Sequence, residues 1–278
     1  MKDLMSILDS LYRDYDFKGR IKHDPIKFPH SYKDKGDIEV SGLIASSLAY
    51  GRVDLFMPVI EKILSQMGQS PCGFLRDFNI KKHGCLFHGV KYRFQTERDI
   101  IALLYVISEI LKREGSIYHL FMRFYKDDDS NTGSALSGMV GYILKIDTKG
   151  VYYGRDISPG GLIQLFPSPA RGGACKRENL FLRWMVRDKD MDFGIWKGIP
   201  KSRLVIPLDT HIKRVSLCLG LTKRKTADWK TAVEITENLK KLDPLDPLKY
   251  DFSLCHRGIS GVCGSAACLS CSLKRKAA

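Results

Sequence analysis

Apolar residues recur every three or four positions along most of this 278-residue chain. That spacing places them on one side of an α-helix, whereas the strict alternation of a half-buried strand is scarce. The pattern predicts helices over residues 1–17, 37–50, 54–67, 97–113, 116–125, 136–146, 160–166, 176–188, 190–196, 209–220, 226–241 and 246–257. Residues 71–89 are too broken to assign. The predicted fold class is all-α.

The clearest helix start lies at Thr96, with Asp99 three residues later. A threonine cap and an acidic residue at this spacing satisfy free backbone amides from both sides. The helix that follows is apolar nearly all round and is predicted to be a central core helix. Three consecutive carboxylates, Asp127 to Asp129, are predicted to form a solvated loop. A metal site is the alternative, although no ligand spacing supports it.

A proline and a carboxylate, Pro207 and Asp209, stand directly before an apolar run that includes Ile212, Val215 and Leu219. This arrangement predicts that Asp209 lies at a helix N-terminus, beside unsatisfied backbone amides. From the local pattern, Asp209 is either a plain helix cap or a functional carboxylate.

The segment from Pro207 to Leu221 resembles the Pro-Val-Asp-Thr-His-Val-x-Arg-Val…Leu-Gly-Leu signature of the helix-hairpin-helix DNA glycosylases, the endonuclease III superfamily. The matching positions are Pro207, Asp209, Thr210, His211, Arg214, Val215, Leu219, Gly220 and Leu221. The resemblance implies a two-lobed helical fold in which Asp209 is the catalytic carboxylate. His211 is expected to orient or pack near the helix start. Most of the chain also resembles a bacterial family of unknown function that is placed near these glycosylases.

A short apolar helix end, a Pro/Gly-rich turn and an amphipathic helix follow one another at about residues 160–188. This is the outline of a helix-hairpin-helix, although the family's Leu-Pro-Gly-Val-Gly-x-Lys-Thr-Ala motif is not present as such. Pro167, Gly173 and Lys176 occupy comparable places. The resemblance makes Lys176 the candidate Schiff-base nucleophile, and its wide separation from Asp209 is closer to the archaeal 8-oxoguanine glycosylase branch. The alternative is a surface lysine in a first helical turn.

The turn before Lys176 contains candidate DNA-binding residues. Gly172 and Gly173 permit close backbone approach, so their amides are candidates for binding a phosphate, while a plain turn is the alternative. Arg171 and Arg177 are the candidate phosphate partners beside them. A net charge of +14 and a pI near 9.4 favour a polyanionic partner, DNA above all, although generic basicity is an alternative.

Four cysteines crowd the end of the chain as Cys255, Cys263, Cys268 and Cys271. Four thiolates within so short a stretch can supply a complete metal site. The glycosylase resemblance implies a [4Fe-4S] cluster here, but the cysteine spacing differs from the family's, so zinc or thiols without metal are alternatives. The predicted division is a helical domain over residues 1–254 and a Cys-rich segment with a basic tail over 255–278.

The predicted function is DNA base-excision repair by a glycosylase, with or without AP-lyase activity. A non-catalytic nucleic-acid-binding protein that retains the fold is the main alternative, an iron–sulfur redox sensor is a third, and RNA is an alternative substrate. The longest apolar run, residues 100–111, is too short to span a bilayer and contains Glu109. Asp3 and Asp9 argue against a secretory signal, so a cytoplasmic location is expected, and a monomer suffices for this chemistry.

Overall fold

The computed structural model describes residues 2–154 and 160–259. The α-helices in these ranges are α1 (Lys2–Arg13), α2 (Phe17–Ile21), α3 (Lys35–Leu48), α4 (Val53–Ser65), α5 (Pro71–Arg76), α6 (Ile80–His83), α7 (Glu97–Glu114), α8 (Ile117–Met122), α9 (Gly133–Ile143), α10 (Gly160–Leu165), α11 (Lys176–Val186), α12 (Thr210–Cys218), α13 (Trp229–Lys240) and α14 (Asp251–Ile259). Short 3₁₀ segments are Pro25–Lys27, Pro29–Ser31, Gly84–Phe87, Pro169–Arg171 and Lys201–Arg203.

Isolated bridges, and no strands, accompany these helices in the described ranges, which confirms the all-α prediction. None of the helices described is long and apolar enough to cross a membrane. The described chain divides into two compact units. Unit 1 contains residues 2–18, 130–133 and 169–259, and unit 2 contains residues 19–129, 134–154 and 160–168.

Unit 2 is organised around α7, whose side chains are almost all buried. Helices α5, α8 and α10 pack against it, so the predicted central core helix is confirmed. The Thr96 hydroxyl accepts from the Asp99 amide, and the Asp99 carboxylate accepts from the Thr96 amide at 2.8 Å. This reciprocal cap starts α7 where the sequence predicts.

Two buried acidic residues of α3 serve as caps for other helices of unit 2. The Glu39 carboxylate accepts the amides of Ile117 and Tyr118, at 2.8 and 3.0 Å, at the start of α8. Asp37 accepts the amide of Cys72 at 2.8 Å in the first turn of α5. Each buried carboxylate therefore accepts amides that the start of another helix leaves free.

The core of unit 1 is formed by apolar side chains of α1, α12, α13 and α14 and of the segment before α12. Its buried members are Leu8, Val205, Ile206, Leu208, Ile212, Val215, Leu219, Leu221, Ala232, Ile235, Leu239, Leu242, Tyr250 and Leu254. Helix α12 lies along α14 in this core. The packing fixes the start of α12, which carries Asp209, against one face of α14.

The predicted helix over residues 190–196 is wrong, because this segment is irregular. Asp190 has φ of +62°, which is the left-handed region and breaks a right-handed helix. The amides of Phe193 and Trp196 donate to the carbonyls of Trp184 and Met185, at 2.8 and 2.9 Å. These donors therefore bind to the last turn of α11 and are not used within a separate helix.

The predicted helix-hairpin-helix and the predicted domain division stay predictions. Helix α10 belongs to unit 2 and α11 to unit 1. The division proposed at residue 255 falls inside α14. Cys263, Cys268, Cys271 and the basic tail lie outside the described residues.

Candidate functional site

Asp209 lies at the N-cap of α12, where the sequence predicts it. Its Oδ1 atom accepts hydrogen bonds from the amides of His211 and Ile212, at 2.9 and 2.8 Å. The preceding Ile206 amide donates to the Thr236 hydroxyl at 3.0 Å, which ties the entry to α12 onto α13. The carboxylate is half-buried and held in one orientation by two backbone donors.

The second oxygen of Asp209 is directed toward α14. The Cys255 thiol donates to Asp209 Oδ2, with a sulfur–oxygen distance of 3.7 Å. Cys255 lies one turn after Asp251 on the same face of α14. Burial raises the pKa of Asp251 to about 6, Arg183 opposes this rise, and the charge of Asp209 adds to it. Asp209 thus acts electrostatically on a buried face of α14.

Aspartates beyond residue 187 in unit 1 differ sharply in their partners. Each described one except Asp209 forms an ion pair with a lysine or an arginine; these are Asp188, Asp190, Asp192, Asp228, Asp243, Asp246 and Asp251. Asp209 forms no ion pair with any described residue, and its contacts are two amides and one thiol. A half-buried carboxylate that no side-chain cation neutralises can stabilise a positive charge on a ligand.

The contact between Cys255 and Asp209 also bears on the predicted metal site. A cysteine ligand of iron or zinc is a thiolate and has no proton to donate. A thiolate at this position would face the Asp209 carboxylate, and the two like charges would repel each other. The assignment of Cys255 as a metal ligand stays a prediction, since Cys263, Cys268 and Cys271 lie outside the described residues. No group of three or more His, Cys, Asp or Glu side chains in the described ranges is arranged to hold a metal ion.

Lys176 is the first residue of α11 and is half-buried. The N-cap residue before it, Cys175, has φ of +50° and forms no side-chain hydrogen bond to the start of α11. The described contacts of Asp209 do not include Lys176, so the predicted pairing of amine and carboxylate stays a prediction. The charge of Lys176 instead acts on Glu178, two residues later.

Glu178 is a titratable group that the sequence pattern does not reveal. It is 4% exposed, and its Oε2 atom has no hydrogen-bond partner. Burial raises the pKa of Glu178 to about 7, although Arg177, its own amide and Lys176 oppose the rise. A glutamate three residues after a helix cap usually forms a capping box at the protein surface. The sequence position of Glu178 therefore gives no indication that its side chain is buried. A carboxyl with a pKa near 7 exchanges protons at neutral pH.

We expect the stability of unit 1 to fall with pH because of Glu178. Its folded pKa of about 7 lies above the ordinary value of 4.5, so the folded state binds more protons between these values. Stability is then lost as pH rises through this window, by about 3 kcal/mol.

Substitution Glu178→Gln removes the contribution of Glu178 to this pH dependence, which urea unfolding at about pH 4.5 and about pH 8 measures. The matched control is Glu237→Gln, an exposed glutamate of α13. An equal pH dependence in wild type and Glu178→Gln would contradict the expectation.

The turn with the candidate DNA-binding glycines is tied to the start of α13. Gly172 has φ of +76°, its amide donates to the Pro169 carbonyl at 2.9 Å, and its carbonyl accepts the Trp229 amide at 3.1 Å. Gly173 forms a β-bridge with Asp228, the cap of α13. The amide of Gly172 is thus already used inside the turn.

The basic side chains beside this turn differ in exposure. Arg171 is exposed and Arg177 is half-buried. Hydrogen bonds from Thr226 and from the amide of Thr231 hold the pKa of Asp228 well below its usual range, and Arg224 contributes. This carboxylate therefore remains charged at neutral pH, where it caps α13. Phosphate binding by Arg171, Gly172, Gly173 and Arg177 stays a prediction.

A buried ion-pair network joins the C-terminal half of α11 to the segments that follow it. Its members are Arg183, Arg187, Asp190, Asp192, Asp246 and Asp251. Arg183 binds Asp251, the first residue of α14, at 2.5 Å, and both side chains are under 5% exposed. This pair fixes the start of α14 and with it the face that presents Cys255 to Asp209.

Unit 2 exposes aromatic side chains that contact arginines. Phe94, 67% exposed, stands at the tip of a two-residue turn in which Arg93 has φ of +50°. The Arg93 guanidinium lies 5.5 Å from the Phe94 ring, and that of Arg98 lies 3.9 Å from the ring of Tyr153. Neither arginine forms an ion pair with a described residue. Exposed rings beside arginines are typical of surfaces that stack on nucleic-acid bases.

Over residues 2–154 and 160–259 the protein is all-helical, and a half-buried aspartate with no ion pair to any residue in these ranges caps one core helix. The chain belongs to the family described as "Protein of unknown function (DUF2400)", whose model matches residues 24–260. No curated protein and no solved structure matches the chain.

Proposed function

We propose that this protein is a DNA glycosylase of the helix-hairpin-helix type, which releases a damaged base from DNA. Asp209 is the catalytic carboxylate of this proposal, and Lys176 is the candidate amine nucleophile. The observation that carries the proposal is the state of Asp209, a half-buried carboxylate with fixed orientation and no ion pair among the described residues. The segment from Pro207 to Leu221, which contains Asp209 and resembles the glycosylase signature, supports the same proposal.

The chemistry of base release explains why such a carboxylate is needed. Positive charge develops on the sugar as the glycosidic bond breaks, and a preorganised carboxylate stabilises it without rearrangement. An arginine or lysine bound to Asp209 would cancel this effect. The Cys255 thiol is a weak donor that leaves the negative charge in place.

Lys176 gives the reaction its covalent branch. Its uncharged amine attacks the anomeric carbon, the bond from that carbon to the base breaks, and the electron pair leaves with the base, which takes up a proton. The nitrogen then loses a proton and the bond from the anomeric carbon to the ring oxygen breaks, which opens the sugar and leaves an imine that permits elimination of the 3′ phosphate. If Lys176 has no such role, Asp209 directs a water molecule instead and the reaction stops at an abasic site.

Charge and surface support a nucleic acid as the partner. The net charge of +14 attracts a polyanion. The exposed Phe94 and Tyr153 rings beside Arg93 and Arg98 suit contact with bases and phosphates. The extrusion of a base that such an enzyme requires is easiest at a damaged or mismatched position.

We expect borohydride to trap the wild-type protein covalently on DNA that contains its lesion, and Lys176→Ala to abolish trapping. The measurement uses oligonucleotides with oxidised, deaminated, alkylated or abasic sites, with and without borohydride. The matched control is Lys230→Ala, an exposed lysine in the first turn of α13, which should trap as wild type does.

Other results of the same measurement separate the alternatives. Base release that survives Lys176→Ala would indicate the water-directed reaction. DNA binding without release or trapping on any oligonucleotide would contradict the glycosylase proposal and favour the non-catalytic nucleic-acid-binding protein. The same panel made as RNA tests the other substrate.

A further inference from the structure

Cys255 occupies a position that its place in a cysteine-rich sequence does not explain. It lies inside α14, one turn after Asp251, and is half-buried. Its sulfur lies 3.7 Å from Asp209 Oδ2, the oxygen that the backbone of α12 does not bind. Both oxygens of the carboxylate therefore have a donor, one pair of amides on α12 and one thiol on α14.

The helix that carries this thiol is held by contacts at several of its residues. Helix α14 lies along α12, and Leu254 belongs to the same buried core as Ile212 and Val215. The start of α14 is held by the buried pair between Arg183 and Asp251. The core contact of Leu254 and the ion pair of Asp251 therefore fix the backbone of α14 on either side of the turn that leads to Cys255.

A carboxylate bound through one oxygen only can rotate about the bond to its β-carbon, since the torsion of this sp³–sp² bond is broad. A donor on the second oxygen restricts this rotation. A thiol does so weakly, so it neither neutralises the carboxylate as a lysine would nor prevents the oxygen from facing a substrate.

We propose that Cys255 is a positioning residue for Asp209, which holds the second carboxylate oxygen through its S–H group and is not a ligand of a metal cluster. The catalytic consequence rests on the proposed function. The contact itself does not, because it depends only on the packing of α12 and α14, and the proposed exclusion from a metal site depends on the proton that the thiol donates in this contact. A four-cysteine cluster over Cys255, Cys263, Cys268 and Cys271 would need this thiol as a thiolate.

The first arm of the test is independent of any activity. Wild type and Asp209→Asn are alkylated with iodoacetamide, and the rate at each cysteine is followed by mass spectrometry. Removing the charge that opposes a thiolate should raise the rate at Cys255 about tenfold. The exposed Cys85 in unit 2 is the internal reference and should react equally in both proteins. An unchanged rate at Cys255 overturns the proposed contact.

The second arm measures iron and zinc in the purified wild type and in Cys255→Ser. Equal metal content in the two proteins, including none in either, is the expected result. Loss of metal in Cys255→Ser alone would make Cys255 a ligand and overturn the proposal.

The third arm measures base release with Cys255→Ala and Cys255→Ser. Loss of the donor should lower kcat about tenfold and leave KM nearly unchanged, because the contact orients a group that acts in the transition state. Serine keeps an O–H donor and should restore most of the loss, which a merely structural cavity would not allow. Cys218→Ala, in α12, is the control and should release base as wild type does.

An equal loss in Cys255→Ala and Cys255→Ser, or a rise in KM alone, contradicts a positioning role. If wild type releases no base, the proposed function fails while the first two arms still decide the contact.

Discussion

The variant Asp209→Asn should release base at least about a thousandfold more slowly than wild type and should remain folded. Asparagine keeps an oxygen that accepts the amides of His211 and Ile212, and it caps helices about as well as aspartate. It loses the negative charge that would stabilise the developing positive charge on the sugar. Single-turnover base release, together with urea unfolding, separates the two effects.

A matched control for this variant is available in unit 2. Asp34 caps α3 in the same way, because its Oδ1 accepts the amides of Gly36 and Asp37 at 2.8 and 3.2 Å. Asp34→Asn should therefore change neither folding nor base release. Base release by Asp209→Asn at the wild-type rate would show that Asp209 is only a helix cap, and the catalytic assignment would fail.

The variant Arg187→Met should lose about 3–5 kcal/mol of unfolding free energy at neutral pH. Arg187 is buried and binds three carboxylates: Asp246 at 2.9 Å, Asp192 at 2.5 Å and Asp190 at 3.1 Å. Burial already raises the pKa of Asp192 even with Arg183 and Arg187 present. Removing the guanidinium leaves buried negative charge without a partner, and urea unfolding measures the cost.

Two comparisons make this prediction specific. The loss should shrink at about pH 5, because carboxylates without a guanidinium take up protons more readily and no longer carry charge. Arg52→Met removes an ion pair with Asp54 in which both side chains are exposed, and it should leave stability nearly unchanged. A similar small effect for Arg187→Met would mean that the buried network contributes little to the folded state.

The cap positions illustrate what could be predicted from residues close together in the chain. Thr96 with Asp99 and Asp209 with its following apolar run identify two helix starts, because capping depends on groups within three positions. Residues 190–196 show the limit of this reasoning. Their apolar residues have the spacing of a helix, but Arg187 binds Asp190 and Asp192. The amides of Phe193 and Trp196 donate to carbonyls at the end of α11.

The candidate site likewise has features that the local sequence predicts and features that depend on packing. The position of Asp209 at a helix start and of Lys176 in a first turn follow from local pattern. That Asp209 forms no ion pair with a described residue, and that Cys255 contacts it, depend on residues 46 positions apart. No periodicity carries this information, since it arises from the packing of α14 along α12.

The helical class, most helix positions and the two capped starts can be predicted from the amino-acid sequence, because they depend on side-chain periodicity and on hydrogen bonds within one turn. The partners of the buried charges follow from the packing of distant segments and are not predicted from the sequence. Glu39 caps α8 by binding the amide of Ile117, 78 positions later in the chain. Arg183 forms an ion pair with Asp251, 68 positions later. Burial also raises the pKa of Glu178, a residue that looks in the sequence like an ordinary first-turn glutamate. The free energy of a buried charge depends on groups brought together by packing, and adjacent sequence does not specify those groups.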